Sequence, residues 1–187
     1  MTSDPGATLW FTGLPGAGKS TVASELKAML EAAGTRATVL DADELRRGLN
    51  ADLGFSAGDR HENVRRLGEV ALLIAGSGAL AIVTAISPYA TSRAAVRATH
   101  EIRGASFLEV YVATPLAICE ARDPKGMYAR ARRGELAYFT GVSDPYEPPS
   151  APELVLQTSG TPAEAAQEVL ALLERAGRAG PPGDPSR

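Results

Sequence analysis

Eight consecutive residues, 13–20 (GLPGAGKS), restrict what this chain can fold into more than any other stretch. They match the pattern G-x-x-x-x-G-K-[ST], and they lie between an apolar run (TLWFT) and a helix-favouring run. Backbone N–H groups of such a glycine-rich turn can surround a phosphate, and the helix N-terminus adds partial positive charge. The pattern therefore predicts a nucleoside triphosphate site, with Lys19 on the β- and γ-phosphates and the Ser20 hydroxyl on Mg²⁺. The alternative, a glycine-rich turn with Lys-Ser by chance, would need the four specified residues to fall in register within these eight positions and in the right context.

Short β-rich runs alternate with helical runs along the chain. This order predicts an α/β fold with a parallel five-stranded sheet and helices on both faces. Strands are predicted at residues 8–12, 37–41, 80–86, 107–112 and 154–157. Helices are predicted at residues 19–33, 59–76, 91–103, 115–122, 127–133 and 162–175, the last one capped by Thr161 and Glu164. Ligands of such sheets bind near loops that leave the carboxyl ends of the strands, here residues 49–58 and 122–152.

The bulk composition limits the class of protein. The 187 residues suit one domain, predicted over residues 1–175 with a lid at roughly 122–150, followed by a Gly/Pro-rich, disordered tail over 176–187. A formal net charge of −3 argues against a nucleic-acid polymer as partner. The single cysteine, Cys119, fits a reducing cytosol, and no apolar run reaches the roughly 18 residues of a membrane span. We therefore expect a cytoplasmic protein that does not cross a membrane.

The phosphate-binding loop leaves the fate of the γ-phosphate open between water and a small-molecule acceptor. The predicted third strand ends in Ala85-Ile86-Ser87 and lacks the acid that often helps to hold Mg²⁺ there. The acids Asp41 and Asp43 instead follow the second strand, and no NKxD motif for guanine occurs. This layout favours a small-molecule kinase over a switch or a motor.

The predicted helix 59–76 divides its charged residues between two faces. Asp59 is the predicted N-cap and Glu62 completes a capping box. At 100° per residue, Arg60 and Asn63 fall on the apolar face, which is formed by Val64, Leu67, Ala71 and Ile74. An inward-facing arginine needs an anionic partner. The partner could be internal, Asp41 or Asp52, or it could be a phosphate or sulfate on the acceptor.

Two further segments carry side chains suited to an acceptor site. Asp43, with Arg46 on the same face of a short helical turn, could accept or orient a hydroxyl. Phe55 could be a core plug, or it could stack on a nucleobase with Phe139, a second loop aromatic, on the other side. The segment 122–141 adds a basic patch that would suit a lid over a triphosphate. A solvated basic helix is the alternative, mainly for Arg132 and Arg133. The patch consists of Arg122, Lys125, Arg130, Arg132 and Arg133.

Several segments in order make residues 7–157 resemble the adenylylsulfate kinase (APS kinase) family. They are GLPGAGKS, DADELRRGLNADLGFSAGDRHENVRR, ISPY, RDPKGMY and FTGVSDPYEPP. The resemblance implies a nucleotide-kinase-like P-loop fold, homodimers, Mg²⁺, and transfer of the γ-phosphate of ATP to the 3′-hydroxyl of adenosine 5′-phosphosulfate (APS), giving PAPS.

The resemblance also implies roles for matching positions. The catalytic residues would be Asp43, Lys19 and Lys125, with Ser20 on Mg²⁺ and Asp43 reaching the ion through water. The acceptor would contact Asp43, Arg46, Phe55, Arg60, Asn63, Ser87, Lys125 and Phe139. ATP would contact Gly13, Leu14, Pro15, Gly16, Ala17, Gly18, Lys19, Ser20, Thr21 and Arg122.

The sequence departs from the family pattern around the acceptor. Ala42 stands in a glycine position, Glu44 where Asn is common, and Pro15 where Ser is common. Ala90 and Ala129 stand where basic residues are usual. The alternatives are a related kinase that phosphorylates the 3′-hydroxyl of another nucleotide conjugate, and a non-catalytic nucleotide-binding module. A nuclease or nucleic-acid-binding ATPase is disfavoured by the charge.

Overall fold

The structure, a computed structural model, describes residues 6–157 and 160–177 and contains the predicted parallel sheet. Five strands lie in the order β2-β3-β1-β4-β5, and every neighbouring pair is parallel. The central strand β1 is buried along its whole length because its residues are apolar or small. The strands are β1 (Ala7–Thr12), β2 (Ala37–Asp41), β3 (Leu80–Thr84), β4 (Ser106–Val112) and β5 (Leu154–Leu156).

Seven helices among the described residues cover both faces of the sheet. Helices α1 and α7 pack over one apolar cluster that includes Phe11 and Leu26. Helices α3 and α4 pack over a second cluster around Trp10 and Leu67. They are α1 (Lys19–Ala32), α2 (Ala42–Leu45), α3 (Ala57–Gly76), α4 (Ala90–Ile102), α5 (Leu116–Arg122), α6 (Met127–Arg132) and α7 (Pro162–Arg175).

The predicted start of α3 is wrong by two residues. The N-cap is Ser56, whose hydroxyl accepts from the Asp59 backbone N–H at 3.2 Å, and Asp59 is the third helical residue. Glu62 takes no part in capping, because it pairs with Arg65 and Arg66 on the exposed face. The capping box predicted for α7 is confirmed, with both reciprocal bonds between Thr161 and Glu164.

Strand β3 ends at Thr84, two residues earlier than predicted. Thr84 is in register with Asp41, the last residue of β2, so the residues after Thr84 have no strand partner on the β2 side. From residue 178 onward, the predicted tail lies outside the described residues. None of the helices described is both long and apolar enough to cross a bilayer.

Candidate active site

The loop between β1 and α1 has the backbone that its glycines predict. Gly13, Gly16 and Gly18 have φ values of 152°, 72° and 104°, a region that side chains with a Cβ rarely adopt. A Cβ on Gly13 would also lie 2.7 Å from the carbonyl oxygen of Val112 on the neighbouring strand β4. The loop therefore wraps closely around the N-terminus of α1, where phosphates bind.

Lys19 extends back across this loop. Its Nζ donates to the carbonyls of Gly13 at 2.9 Å and Leu14 at 2.8 Å, and the residue is 8% exposed. Burial lowers the pKa of Lys19 from 10.5 to about 8, while Asp43 and Asp41 oppose the shift. The ammonium is thus held in the loop with less water around it than an ordinary lysine has.

The lowered pKa predicts that nucleotide binding takes up a proton. At pH 8 about half of the free protein should carry a neutral Lys19, and a bound triphosphate favours the charged form. ATP affinity should therefore fall as the pH rises above 8. Calorimetry at pH 8 in HEPES and in Tris should give about half a proton taken up per ATP bound, and almost none at pH 6.5.

Lys19→Arg is the matched control for this titration. Its guanidinium stays protonated at pH 8, so the variant should bind ATP without taking up a proton. Identical binding enthalpies in the two buffers for the unmodified protein would contradict the prediction.

Asp41 lies directly beside the phosphate-binding loop. Its carboxylate accepts from the Ser20 hydroxyl at 2.7 Å and from the Thr84 hydroxyl at 2.8 Å. Hydrogen bonds from Ser20, Thr84 and two backbone amides outweigh burial and lower the Asp41 pKa. A hydroxyl and a carboxylate are the hard oxygen donors that suit Mg²⁺. From the sequence, Asp41 was predicted only as an acid after the second strand and as one of two internal partners for Arg60. Its position at the end of a strand next to the loop was the available signal for the contact with Ser20.

Asp43 follows Asp41 by two residues and faces the predicted lid. Its Oδ2 lies 2.8 Å from Nζ of Lys125, and both side chains are exposed, by 71% and 70%. This hydrogen bond and ion pair raise the pKa of Lys125. The two predicted catalytic residues therefore meet, although 82 positions separate them in the chain.

A small cavity of about 50 Å³ is lined by Asp43 and by none of the residues of the phosphate-binding loop. Its lining includes every predicted acceptor residue outside the predicted lid. These six are Asp43, Arg46, Phe55, Arg60, Asn63 and Ser87. A groove of about 520 Å³ between α3 and α4 is larger, but it contains none of these side chains and none of the loop. The side chains predicted for the acceptor therefore line the smaller cavity and not the larger groove.

Arg60 is buried, at 7% exposed, and much of its hydrogen-bonding capacity goes to the protein itself. It donates to the backbone carbonyls of Phe55 and Tyr138, and its Nε lies 3.7 Å from the carboxylate of Asp144. Both predicted internal partners, Asp41 and Asp52, are wrong, because Ser20 and Arg66 engage those carboxylates. Arg60 joins the loop before α3 to the segment after α6.

Phe55 is 56% exposed, so the core-plug alternative is wrong. The guanidinium of Arg46 lies 4.4 Å from its ring centroid and donates to the carbonyls of Leu53 and Gly54. Phe139 is only 9% exposed and packs edge-on against Tyr128 at 5.0 Å. The Tyr128 hydroxyl donates to the Pro15 carbonyl, so this segment also contacts the phosphate-binding loop.

Ser87 lines the cavity, but its hydroxyl points into a buried hydrogen-bonded chain. It donates to Thr12 at 3.0 Å and accepts from the indole N–H of Trp10 at 3.1 Å, and the residue is 3% exposed. Its backbone carbonyl accepts from Arg93. Arg122 is exposed at the end of α5. Thr12, Trp10 and Tyr128 were not predicted from the sequence, because nothing local marks a contact between segments that are far apart in the chain.

Comparison with known proteins agrees with this geometry. The family model for adenylylsulphate kinase matches residues 5–157. The adenylyl-sulfate kinase of Paraburkholderia xenovorans (strain LB400) is 53% identical over 179 residues, which cover 95% of this chain and 98% of that protein. The structure of the Mycobacterium tuberculosis APS kinase CysC in complex with AMPPNP and APS is 54% identical, with a TM-score of 0.89 over 91% of this chain and 98% of the other.

A hexameric APS kinase from Thiobacillus denitrificans is 38% identical, with a TM-score of 0.74. It matches 95% of this chain, which spans only 30% of that longer protein. Together, the matched family model, the identities and the shared phosphate-binding loop lead to one conclusion: this chain belongs to the adenylylsulfate kinase family.

Proposed function

We propose that the protein transfers the γ-phosphate of ATP to the 3′-hydroxyl of APS, giving PAPS and ADP. One observation carries this assignment beyond family membership. Asp41 contacts Ser20 of the phosphate-binding loop, and Asp43, two residues later, lines the acceptor cavity. The terminal phosphate of ATP and the acceptor would therefore meet across a single helical turn.

The roles follow from the positions. Asp43 would accept the proton of the attacking hydroxyl, and its exposed carboxylate is open to a substrate that displaces Lys125. Lys19 and Lys125 would then offset the charge that develops on the transferred phosphate. Arg46 and Asn63 would hold the acceptor, and Arg60 would keep both neighbouring segments in place while contributing charge.

Phe55, and Phe139 after a movement of the predicted lid at 122–150, would enclose the adenine. Phe139 is buried against Tyr128 here. The side-chain hydroxyl of Ser87 is occupied internally, so its contribution to the cavity wall would come from its backbone. Arg122 at the lid margin and the loop residues up to Thr21 complete the proposed ATP contacts.

Mg²⁺ fits the donors present. The Ser20 hydroxyl and Asp41 would hold it together with ATP, and Asp43 is close enough in sequence to act through a water. The ion would supply positive charge that neutralises the phosphates of ATP. Among the described residues no group of three or more His, Cys, Asp or Glu side chains forms a metal cluster, so the phosphates would provide the remaining ligands.

We also propose a cytoplasmic homodimer that acts on small nucleotides, not on nucleic acid or at a membrane. The net charge of −3 and the single cysteine support this setting. The T. denitrificans relative is hexameric, so light scattering of the full chain must distinguish two from six subunits.

A second candidate acceptor is another nucleotide carrying an anionic 5′ group. The observation in its favour is the position of Ala90, where the family pattern has a basic residue: its backbone N–H donates to the Glu147 carboxylate, so that site offers the acceptor no cation. Intact Lys19, Ser20 and Asp43 argue against a non-catalytic module.

An ADP-release assay with a panel of acceptors tests the proposal. APS, 5′-AMP and a 5′-conjugated nucleotide without sulfate should be compared against ATP alone. We expect turnover with APS to exceed the background with ATP alone by at least about 100-fold. In the background reaction the acceptor is water, which the site does not hold in position for attack. Turnover with another nucleotide and none with APS would establish the second candidate instead.

A further inference from the structure

Asn50 lies behind the wall of the acceptor cavity and contacts one of its lining residues. Asn50 is completely buried, and its side-chain NH₂ donates to Oδ1 of Asn63 at 3.0 Å. Its own Oδ1 has no hydrogen-bond partner in the described part of the chain. A buried amide with an unpaired oxygen is costly for folding. Stability alone therefore gives little reason for an amide at this position.

The bond to Asn50 determines which end of the Asn63 amide is free. Oδ1 of Asn63 is engaged, whereas Nδ2 makes no hydrogen bond with any described residue. Asn63 lines the cavity together with the cations Arg46 and Arg60. With Nδ2 as its free end, the amide adds a third donor to this wall. The reverse orientation would place a carbonyl oxygen against an anionic, oxygen-rich acceptor.

We propose that Asn50 is a positioning residue for phosphate transfer: it holds the Asn63 amide so that Nδ2 faces the acceptor. This inference rests on the proposed function, because it takes the cavity to be the acceptor site. Asn50 would act only through Asn63 and would not touch the substrate itself.

The backbone keeps Asn50 in place for this role. Its N–H donates to the Leu45 carbonyl at 2.9 Å, and its carbonyl accepts from the Leu53 N–H at 3.2 Å. The loop thus turns immediately after α2 and directs the side chain towards α3. The same loop is tied to α3 a second time on its exposed side, where Arg66 pairs with Asp52 at 2.7 Å. This second connection provides a matched control.

A double-mutant cycle tests the proposal. Asn50→Leu, Asn63→Leu and the double variant should be compared for APS binding by calorimetry and for the KM values of APS and ATP. We expect each single change to weaken APS binding about tenfold, and the double variant to be no weaker than Asn63→Leu alone, because residues that act as a unit are not additive. The KM for ATP should change less than about twofold, since the hydrogen bonds of Asn50 in the described part of the chain reach Leu45, Leu53 and Asn63 and not the phosphate-binding loop.

Two controls separate orientation of the amide from a general role in folding. Asp52→Asn loosens the same loop on its outer side and should leave APS binding within about twofold of the unmodified protein, as exposed ion pairs contribute little. If Asn50→Leu fails to fold, Asn50→Ser takes its place in the cycle. It removes the amide without adding an apolar group and should likewise weaken APS binding about tenfold.

Two results would overturn the inference: fold-changes at positions 50 and 63 that multiply in the double variant, or equal losses of APS and ATP binding. Failure of the proposed function would look different. The unmodified protein would then bind APS without phosphorylating it, and the binding cycle would still report on Asn50.

Discussion

Replacing Asp43 with asparagine is expected to lower kcat about 10²- to 10⁴-fold, the usual contribution of a positioned general base. Asparagine keeps the shape of the side chain but cannot accept the proton of the attacking hydroxyl. ATP affinity should change little, because Asp43 faces the acceptor cavity and Lys125, whereas Asp41 contacts Ser20. ADP release at saturating ATP and APS measures the first effect, and calorimetry of ATP measures the second.

Glu44→Gln is the matched control for Asp43→Asn. It removes one negative charge from the next residue, which is also exposed, without altering the proposed base. We expect its kcat to stay within about threefold of the unmodified protein, because Glu44 is solvent-exposed and lines neither the cavity nor the phosphate-binding loop. Thermal unfolding should hardly change in either variant, since the exposed Asp43–Lys125 pair contributes about 0–1 kcal/mol. Equal turnover of Asp43→Asn and Glu44→Gln would remove Asp43 from the mechanism.

Phe55→Ala should weaken use of the acceptor about 5- to 150-fold, which corresponds to the 1–3 kcal/mol of one base stacked on an aromatic ring. The ring is 56% exposed, and the guanidinium groups of Arg46 and Arg60 lie 4.4 Å and 5.8 Å from its centroid, so an exposed aromatic surface lies beside two cations. Because the ring is not part of the core, the loss should appear in the KM for APS. The KM for ATP and the midpoint of thermal unfolding should stay nearly constant.

Phe55→Tyr serves as the rescue variant, because it keeps an aromatic face at the same place. Its KM for APS should stay within about threefold of the unmodified protein if stacking is the cause. Leu49→Ala, at another exposed apolar residue of the same loop region, should have little effect on either substrate. If Phe55→Ala raised the KM values of both substrates equally, or unfolded the protein, the stacking role would be wrong.

Local patterns account for most of the fold that the sequence analysis predicted. The glycine-rich loop, the alternation of apolar strands and amphipathic helices and the α7 capping box are each encoded within about 20 neighbouring residues, so the sequence alone indicates them. The errors were local too. Ser56 competes with Asp59 for the N-cap of α3, and both residue types are good caps.

The sequence predicted the residues of the proposed acceptor site but not the contacts that the structure shows for them. Helical periodicity placed Arg60 and Asn63 on the inward face of α3, and both are buried. It could not show that Arg60 pairs with Asp144, or that Asn63 is held by Asn50. Phe139 was predicted as a loop aromatic that stacks on the base opposite Phe55, and the sequence did not show that its ring is buried against Tyr128.

The sequence by itself determined the phosphate-binding loop, the parallel sheet and the class of chemistry, because these depend on residue types at short, regular spacings. Only the tertiary structure decided that Asp43 meets Lys125 and that Asp41, not Asp43, contacts Ser20. It also decided which end of the Asn63 amide remains free. Such contacts join segments tens of residues apart, and their geometry is set by how the sheet brings the ends of its strands together.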